Sequence, residues 1–267
     1  MPKQRLDILL ADRGLYPSRS RAAASVMAGE VCIGAARRRA EKPGEMIDIE
    51  TEVSVAERPR FVSRGGVKLA NALAASGLPV KGRRALDVGA STGGFTDCLL
   101  QHGAEVVTAV DVGYGELHYG LRTDERVTVL ERTNARSLTS AMLPYRPDLA
   151  VIDVSFISLA KILPAVLGCL ADQHDVLALI KPQFEVGRER VGKGGVVREA
   201  TDRRSALLDV AASALQLGSS VLGFYSSQLP GPKGNRETFV WLSESARGGA
   251  ALQELEQMAR EVEPCEK

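Results

Sequence analysis

The apolar residues follow two rhythms along the chain. At the start they are sparse and helical. Leu6, Leu9 and Leu10 share one face between Arg5 and Arg13, and Gly14 offers a stop. Ser18 or Ser20 can cap a second helix reaching about Ala28, with Gly29 beyond it. Short strands are predicted at 31–33 and 46–50, with Lys42-Pro43-Gly44 as the turn between them.

Beyond a charged, proline-containing linker, Ala56-Glu57-Arg58-Pro59-Arg60, the rhythm changes. Strand-like runs at 84–88, 105–111, 127–130, 148–154, 175–181, 220–225 and 238–242 are interleaved with helical stretches at 68–75, 94–102, 158–170 and 202–217. Such alternation predicts an α/β, Rossmann-like sheet of seven mostly parallel strands, preceded by a small α+β unit. The loop 228–236 is too short for a crossover helix, so the last two strands should be antiparallel. The expected divisions are a small domain over 3–60, the large domain over 61–245, and a C-terminal helix or tail over 246–267. In that tail Leu252, Leu255 and Met258 recur at helical spacing.

Composition narrows the classes. Hydrophobic residues make up 45% and charged residues 25%, as in ordinary soluble domains. The most apolar helical stretch, 159–171, contains Lys161 and Pro164 and is too short to span a bilayer. No membrane partner is expected. Cys32, Cys98, Cys169 and Cys265 are scattered, and with His102, His118 and His174 they make no metal-ligand spacing. No metal is expected, and a reduced cytoplasmic setting fits.

The net charge of +1 leaves any nucleic-acid affinity to local clustering. Between Lys3 and Lys42 stand nine basic residues against four acidic ones. Arg19 and Arg21 at a helix start, near Arg37, Arg38 and Arg39, fit either a phosphate-binding surface or a solvated charge run.

The first strand-to-helix turn of the large domain carries Asp87-Val88-Gly89-Ala90-Ser91-Thr92-Gly93-Gly94-Phe95. In doubly wound folds the ligand sits there. Ser91 stands where a dinucleotide fingerprint needs its second glycine, which favours a ligand without a pyrophosphate, such as S-adenosyl-L-methionine. Asp111, 22 residues after Gly89, is positioned for ribose hydroxyls, and Asn134 for the adenine. The residues expected to hold the cofactor are Asp87, Gly89, Ser91, Thr92, Gly93, Phe95, Asp111 and Asn134.

Asp153 and Lys181 end the fourth and fifth strands and should face the same crevice. Lys68, on the helix before the first strand, and Glu237, opening the last strand, fit a catalytic role or a salt bridge equally well. The basic, glycine-broken stretch 187–198 fits an RNA-covering loop or a plain surface loop.

Six segments carry a family resemblance: Val62-Ser63-Arg64-Gly65-Gly66-Val67-Lys68-Leu69, Gly89-Ala90-Ser91-Thr92-Gly93-Gly94-Phe95-Thr96-Asp97, Asp111-Val112-Gly113-Tyr114-Gly115, Glu131-Arg132-Thr133-Asn134, Asp153-Val154-Ser155-Phe156-Ile157-Ser158 and Lys181-Pro182-Gln183-Phe184-Glu185. In this order they resemble the TlyA family, bacterial rRNA cytidine 2′-O-methyltransferases also called hemolysins. The large domain is similar to the wider FtsJ-like ribose methyltransferases, and the small one to the RNA-binding domain of ribosomal protein S-four.

The resemblance implies S-adenosyl-L-methionine as methyl donor, ribosomal RNA or ribosomal subunits as partner, and a catalytic tetrad of Lys68, Asp153, Lys181 and Glu237. It also implies RNA contacts through Arg5, Arg19, Arg21, Arg37, Arg38, Arg39 and Arg64. The stretch Gly34-Ala35-Ala36-Arg37-Arg38-Arg39 replaces the Asn-Gly turn usual after 31–33.

Three other classes are weaker. A membrane-lytic protein needs a spanning helix or amphipathic hairpins, which the sequence lacks. A non-catalytic RNA-binding module would have little reason to keep all four charged positions. A dinucleotide oxidoreductase is disfavoured by Ser91 and by the antiparallel edge.

Overall fold

The computed structural model describes residues 2–55 and 59–264. The core of the linker, 56–58, and Cys265 lie outside the described residues. The chain forms two compact units, Met1–Pro59 and Arg60–Lys267.

In the first unit β1 (Lys3–Arg5) runs into α1 (Leu6–Asp12), followed by α2 (Arg19–Met27), β2 (Val31–Ile33), β3 (Arg38–Arg39), β4 (Met46–Asp48) and β5 (Val53–Val55). Leu6, Leu10, Ala22, Val26 and Val31 are buried together between these elements. Of the two candidate caps it is Ser18 that closes α2, accepting the Arg21 N–H at 3.2 Å.

Both strands expected at 31–33 and 46–50 form, but they do not pair with each other. β2 pairs instead with β3 and β5, while β4 pairs with the N-terminal β1. Strands of three residues bury too little to choose a partner by pattern, so the packing of Ile33 and Ile47 into one core decides it.

The second unit runs α3 (Arg64–Ser76), β6 (Arg84–Val88), α4 (Gly94–Gln101), β7 (Val106–Val110), α5 (Tyr119–Arg122), β8 (Val127–Leu130), β9 (Leu149–Ile152), α6 (Leu163–Leu167), β10 (Asp175–Ile180), α7 (Pro182–Glu185), α8 (Ala200–Gln216), β11 (Ser219–Ser226), β12 (Thr238–Glu244) and α9 (Leu252–Val262). The sheet order is β11-β12-β10-β9-β6-β7-β8. Strands β10, β9, β6, β7 and β8 are parallel, and β12 runs antiparallel to both β10 and β11. β9 and β10 are buried along their whole length, as strands covered on both faces must be. One face packs Ile152, Leu163 and Val210, the other Leu69, Leu99 and Phe239.

The helix predicted over 158–170 is broken into a single 3₁₀ turn, Leu159–Lys161, and the short α6. Pro164 lacks an N–H and fits only the first turn of a helix, so it resets the element there. The tail is packed helix: α9 buries Leu255 and Ala259 against α8 and the sheet, while Leu252 faces solvent. No helix among the described residues is long and apolar enough to cross a membrane.

Candidate active site

Register brings the expected residues to one edge. Val88 lies opposite Ile152, and Ile152 opposite Ala178, so Gly89, Asp153 and Lys181 leave neighbouring parallel strands on the same side. Because β12 is antiparallel, its first residue, Thr238, pairs with the last of β10, Ile180. Glu237 therefore arrives at that same edge.

Two adjoining cavities open there and share Gly89, Ser91, Asp153 and Ser155. The first, about 500 Å³, runs from Asp111 and Asn134 to Phe156. Among the described residues no Lys or Arg lines it, whereas Asp111, Glu116 and Asp153 do. A phosphate would meet three carboxylates and no cationic side chain; a cation would be welcome. Asp111 accepts the Ser91 and Gly113 N–H groups, each at 2.7 Å, and so fixes the loop as well as the cavity wall. Asn134 accepts the Arg136 N–H at 3.0 Å through Oδ1, which leaves its amide donors for the cavity. The backbone of Gly89 is at φ +87°, and a Cβ there would overlap the carbonyl oxygen of Asp153. The loop and the end of β9 are locked together by that contact.

The second cavity, about 440 Å³, is lined by Arg64, Lys68, Thr92, Phe95, Lys181 and Pro230 with the shared residues. Two lysine–carboxylate pairs stand at its wall, with Lys68, Lys181 and Asp153 lining it and Glu237 buried outside the lining. Lys68 donates to Glu237, and both are buried, at 7% and 2% exposure. Lys181 Nζ lies 2.6 Å from Asp153 Oδ1 and donates to Ser155 Oγ at 2.9 Å. The nearest ionic partner of each lysine is thus a carboxylate. A buried charge without its partner costs several kcal/mol, which is why these four groups occur as two pairs.

A model of the FtsJ-like methyltransferase family matches residues 61–244. The chain belongs to that family. It is 50% identical over 243 residues to the 16S/23S rRNA (cytidine-2′-O)-methyltransferase TlyA of Mycobacterium tuberculosis (strain ATCC 25618 / H37Rv), covering 90% of each. It is 45% identical over 269 residues to YqxC of Bacillus subtilis (strain 168), covering 99% of this chain and 95% of that one. A solved structure from Streptococcus thermophilus, labelled a hemolysin, superposes with a TM-score of 0.74 at 43% identity, over 98% of this chain and 96% of the other. The FtsJ-like enzymes use S-adenosylmethionine, a sulfonium without phosphates, and the acidic, cation-free cavity has the chemistry to receive it.

Within this FtsJ-like frame the expected cofactor residues separate. Gly89, Ser91, Thr92, Phe95, Asp111 and Asn134 line the cavities. Asp87 and Gly93 do not. Asp87 is completely buried beneath the loop, where its Oδ2 accepts the Thr96 hydroxyl at 2.6 Å and its Oδ1 has no partner. Burial, reinforced by the charges of Asp153 and Asp111, pushes its carboxyl up to about 7. Gly93, at φ +94°, shapes the loop, since a Cβ there would strike Leu121.

Three site residues escaped the sequence reading. Glu116 lines the first cavity and accepts the Ser91 hydroxyl at 3.1 Å. Ser155 holds Lys181. Phe156 stands at the rim, 90% exposed and at φ +65°, its ring 5.2 Å from that of Phe184. Only Ser155 and Phe156 had a signal, as the second and third residues after Asp153.

In the small unit, Arg5 and Arg19 both pair with the buried Asp7, at 2.9 and 3.0 Å. Arg5 chiefly, with Arg19, holds that carboxyl down to about 2. Arg38 pairs with Glu45, and Arg39 donates to the carbonyls of Gly29 and Ala28 at 2.9 and 3.0 Å. Arg21 and Arg37 are exposed. Arg64, in the large unit, donates to the Pro230 carbonyl at 3.0 Å at the cleft mouth. Among the described residues the expected arginines are thus largely engaged, Arg5 and Arg19 by Asp7 and Arg38 by Glu45.

Proposed function

We propose that this protein transfers a methyl group from S-adenosylmethionine to the ribose 2′-hydroxyl of cytidine in ribosomal RNA. The observation that carries the reading is the junction of the two cavities. A cation-free acidic pocket opens, at Asp153 and Ser155, into a cleft lined by the two lysines of two lysine–carboxylate pairs. The names of the relatives point to the same chemistry.

S-adenosylmethionine supplies, when bound, an electrophilic methyl on a sulfonium. The chain supplies the rest. Gly89, Ser91, Asp111 and Asn134 hold the nucleoside half, and Asp153 faces the developing reaction centre from both cavities. Lys181 Nζ holds the 2′-oxygen in line for attack, an arrangement that supplies much of the rate. As the oxygen attacks, its proton moves to Lys181 Nζ while Nζ gives one of its own to Asp153 Oδ1, 2.6 Å away. Lys68, anchored by Glu237, forms the opposite wall and neutralises the phosphate beside the target ribose.

The small unit, 3–60, serves as the RNA-binding domain, 61–245 as the catalytic domain and 246–267 as a C-terminal helix, in a cytoplasmic enzyme acting on ribosomal subunits. Arg5, Arg19, Arg21, Arg37, Arg38, Arg39 and Arg64 are the proposed RNA contacts.

The test is methyl transfer from labelled S-adenosylmethionine to purified small and large ribosomal subunits, followed by mapping of the modified nucleotide. Label on a cytidine ribose is the expected result. Label on a base, or none on either subunit, overturns the reading.

A further inference from the structure

We infer that Glu263, at the carboxyl end of α9, is a positioning residue for methyl transfer: it clamps the wall that carries Glu237. The inference rests on the proposed reaction, in which Glu237 anchors Lys68.

Glu263 is a buried carboxylate whose contacts bracket Glu237 on both sides. Its Oε2 takes the Arg203 Nε at 2.7 Å, both side chains being almost fully buried, and lies 3.9 Å from Arg236 Nη1. Its Oε1 accepts the Thr238 hydroxyl at 3.3 Å. Arg236 and Thr238 are the two chain neighbours of Glu237. The Glu263 backbone carbonyl accepts Arg204 Nε at 2.7 Å, tying the same point to α8.

The clamp reaches further through Arg203, whose Nη1 donates to the carbonyls of Val197 and Arg198. Asn235, buried two residues before Glu237, completes it. Its Oδ1 accepts the Val197 N–H at 2.9 Å and its Nδ2 donates to the Gly195 carbonyl at 2.7 Å. The loops 192–198 and 229–236 are thereby fused into one wall, and the buried charge of Glu263 stands behind it. Arg203 needs that carboxylate, because a guanidinium so deeply buried is costly without a counter-charge. Removing it takes away one side-chain contact from each residue flanking Glu237, and loosens the alignment of Glu237 on Lys68.

The test separates positioning from stability. In the full chain, Glu263→Gln keeps the shape and removes the charge. The double variant R203M/E263L replaces the buried pair with apolar side chains, which commonly restores stability but cannot hold Arg236 or Thr238. Melting temperature, S-adenosylmethionine affinity, and kcat and KM on ribosomal subunits are measured, the rates well below the lowest melting temperature.

The expected result for both variants is a kcat lower by about tenfold, the size of a sub-ångström misplacement of a reacting group, with KM and cofactor affinity unchanged. A kcat that returns to the wild-type value in the double variant along with its melting temperature overturns the inference. So does a wild-type kcat in Glu263→Gln. A wild-type chain that methylates no ribosomal RNA overturns the underlying reaction and this inference with it.

Discussion

Lys181 Nζ stands 2.6 Å from Asp153 Oδ1, yet it directs its aligned hydrogen bond at Ser155 Oγ, 2.9 Å away. Asp153 Oδ1 is buried and receives no aligned donor in this resting arrangement, so the proton passed to it during the reaction follows a rotation of the ammonium. The ammonium is therefore held by charge on one side and by a neutral hydroxyl on the other. It can turn a proton toward a third oxygen without first breaking a bidentate pair. That freedom is what a residue handling the 2′-hydroxyl needs.

Lys181→Met should lower kcat by at least about 10²-fold, the usual contribution of a positioned proton-transfer group, while the S-adenosylmethionine dissociation constant stays within about twofold because Lys181 lies outside the first cavity. Ser155→Ala, which removes only the neutral arm, should be milder. Calorimetry and methyl-transfer assays read the two quantities. A Lys181→Met enzyme that turns over normally would remove Lys181 from the mechanism.

Asp87 predicts an unusual pH dependence of stability. Its carboxyl titrates near 7 when folded, against an ordinary value of 3.8. A raised folded value means the native state binds the proton more tightly. The stabilisation is complete below about pH 4 and is lost as pH rises through 7. The melting temperature should fall between pH 5 and pH 8 by more in the wild type than in Asp87→Asn, which cannot ionise. Parallel curves for the two proteins would show that Asp87 is not the group responsible.

Asp7 holds Arg5 and Arg19 side by side. Its carboxyl is lowered to about 2, so this stabilisation is present above the ordinary carboxylate value and lost as pH falls through 2. At neutral pH, Asp7→Asn should release both arginines, weaken binding to ribosomal RNA and flatten its salt dependence. Cofactor affinity should be unchanged. Filter binding across a salt series checks this, and an unaltered slope would separate these arginines from the RNA.

Gly89→Ala should be costly twice over. A side chain at φ +87° carries strain of about 1–3 kcal/mol, and the added Cβ would displace the Asp153 carbonyl. Lower stability in urea and loss of measurable S-adenosylmethionine binding are expected together. Retained affinity would mean that the loop can shift away from β9 at little cost.

Periodicity alone reveals the seven strands, the antiparallel final pair and the charged residues at the strand ends. Wholly apolar runs such as 149–152 and 176–180 can only be buried strands of a covered sheet. In a parallel sheet the residues that follow such runs must emerge on one edge, so Asp153 and Lys181 are legible as neighbours from the sequence alone.

Folding decides what joins positions far apart in the chain. Lys68 and Glu237 are 169 residues apart, and only the antiparallel insertion of β12 beside β10 makes them partners. Asp87 belongs to a glycine-rich loop by sequence, yet it points into the core beneath it, because side-chain direction at a strand end depends on what packs on each face. Three-residue strands in the small unit could not select their partners by pattern, and Glu263 had no visible role until α9 closed against α8 and β11. Hydrophobic spacing is a local property and can be read along a line. The pairing of charges is a property of distances in space, and in this protein the tertiary fold alone supplies them.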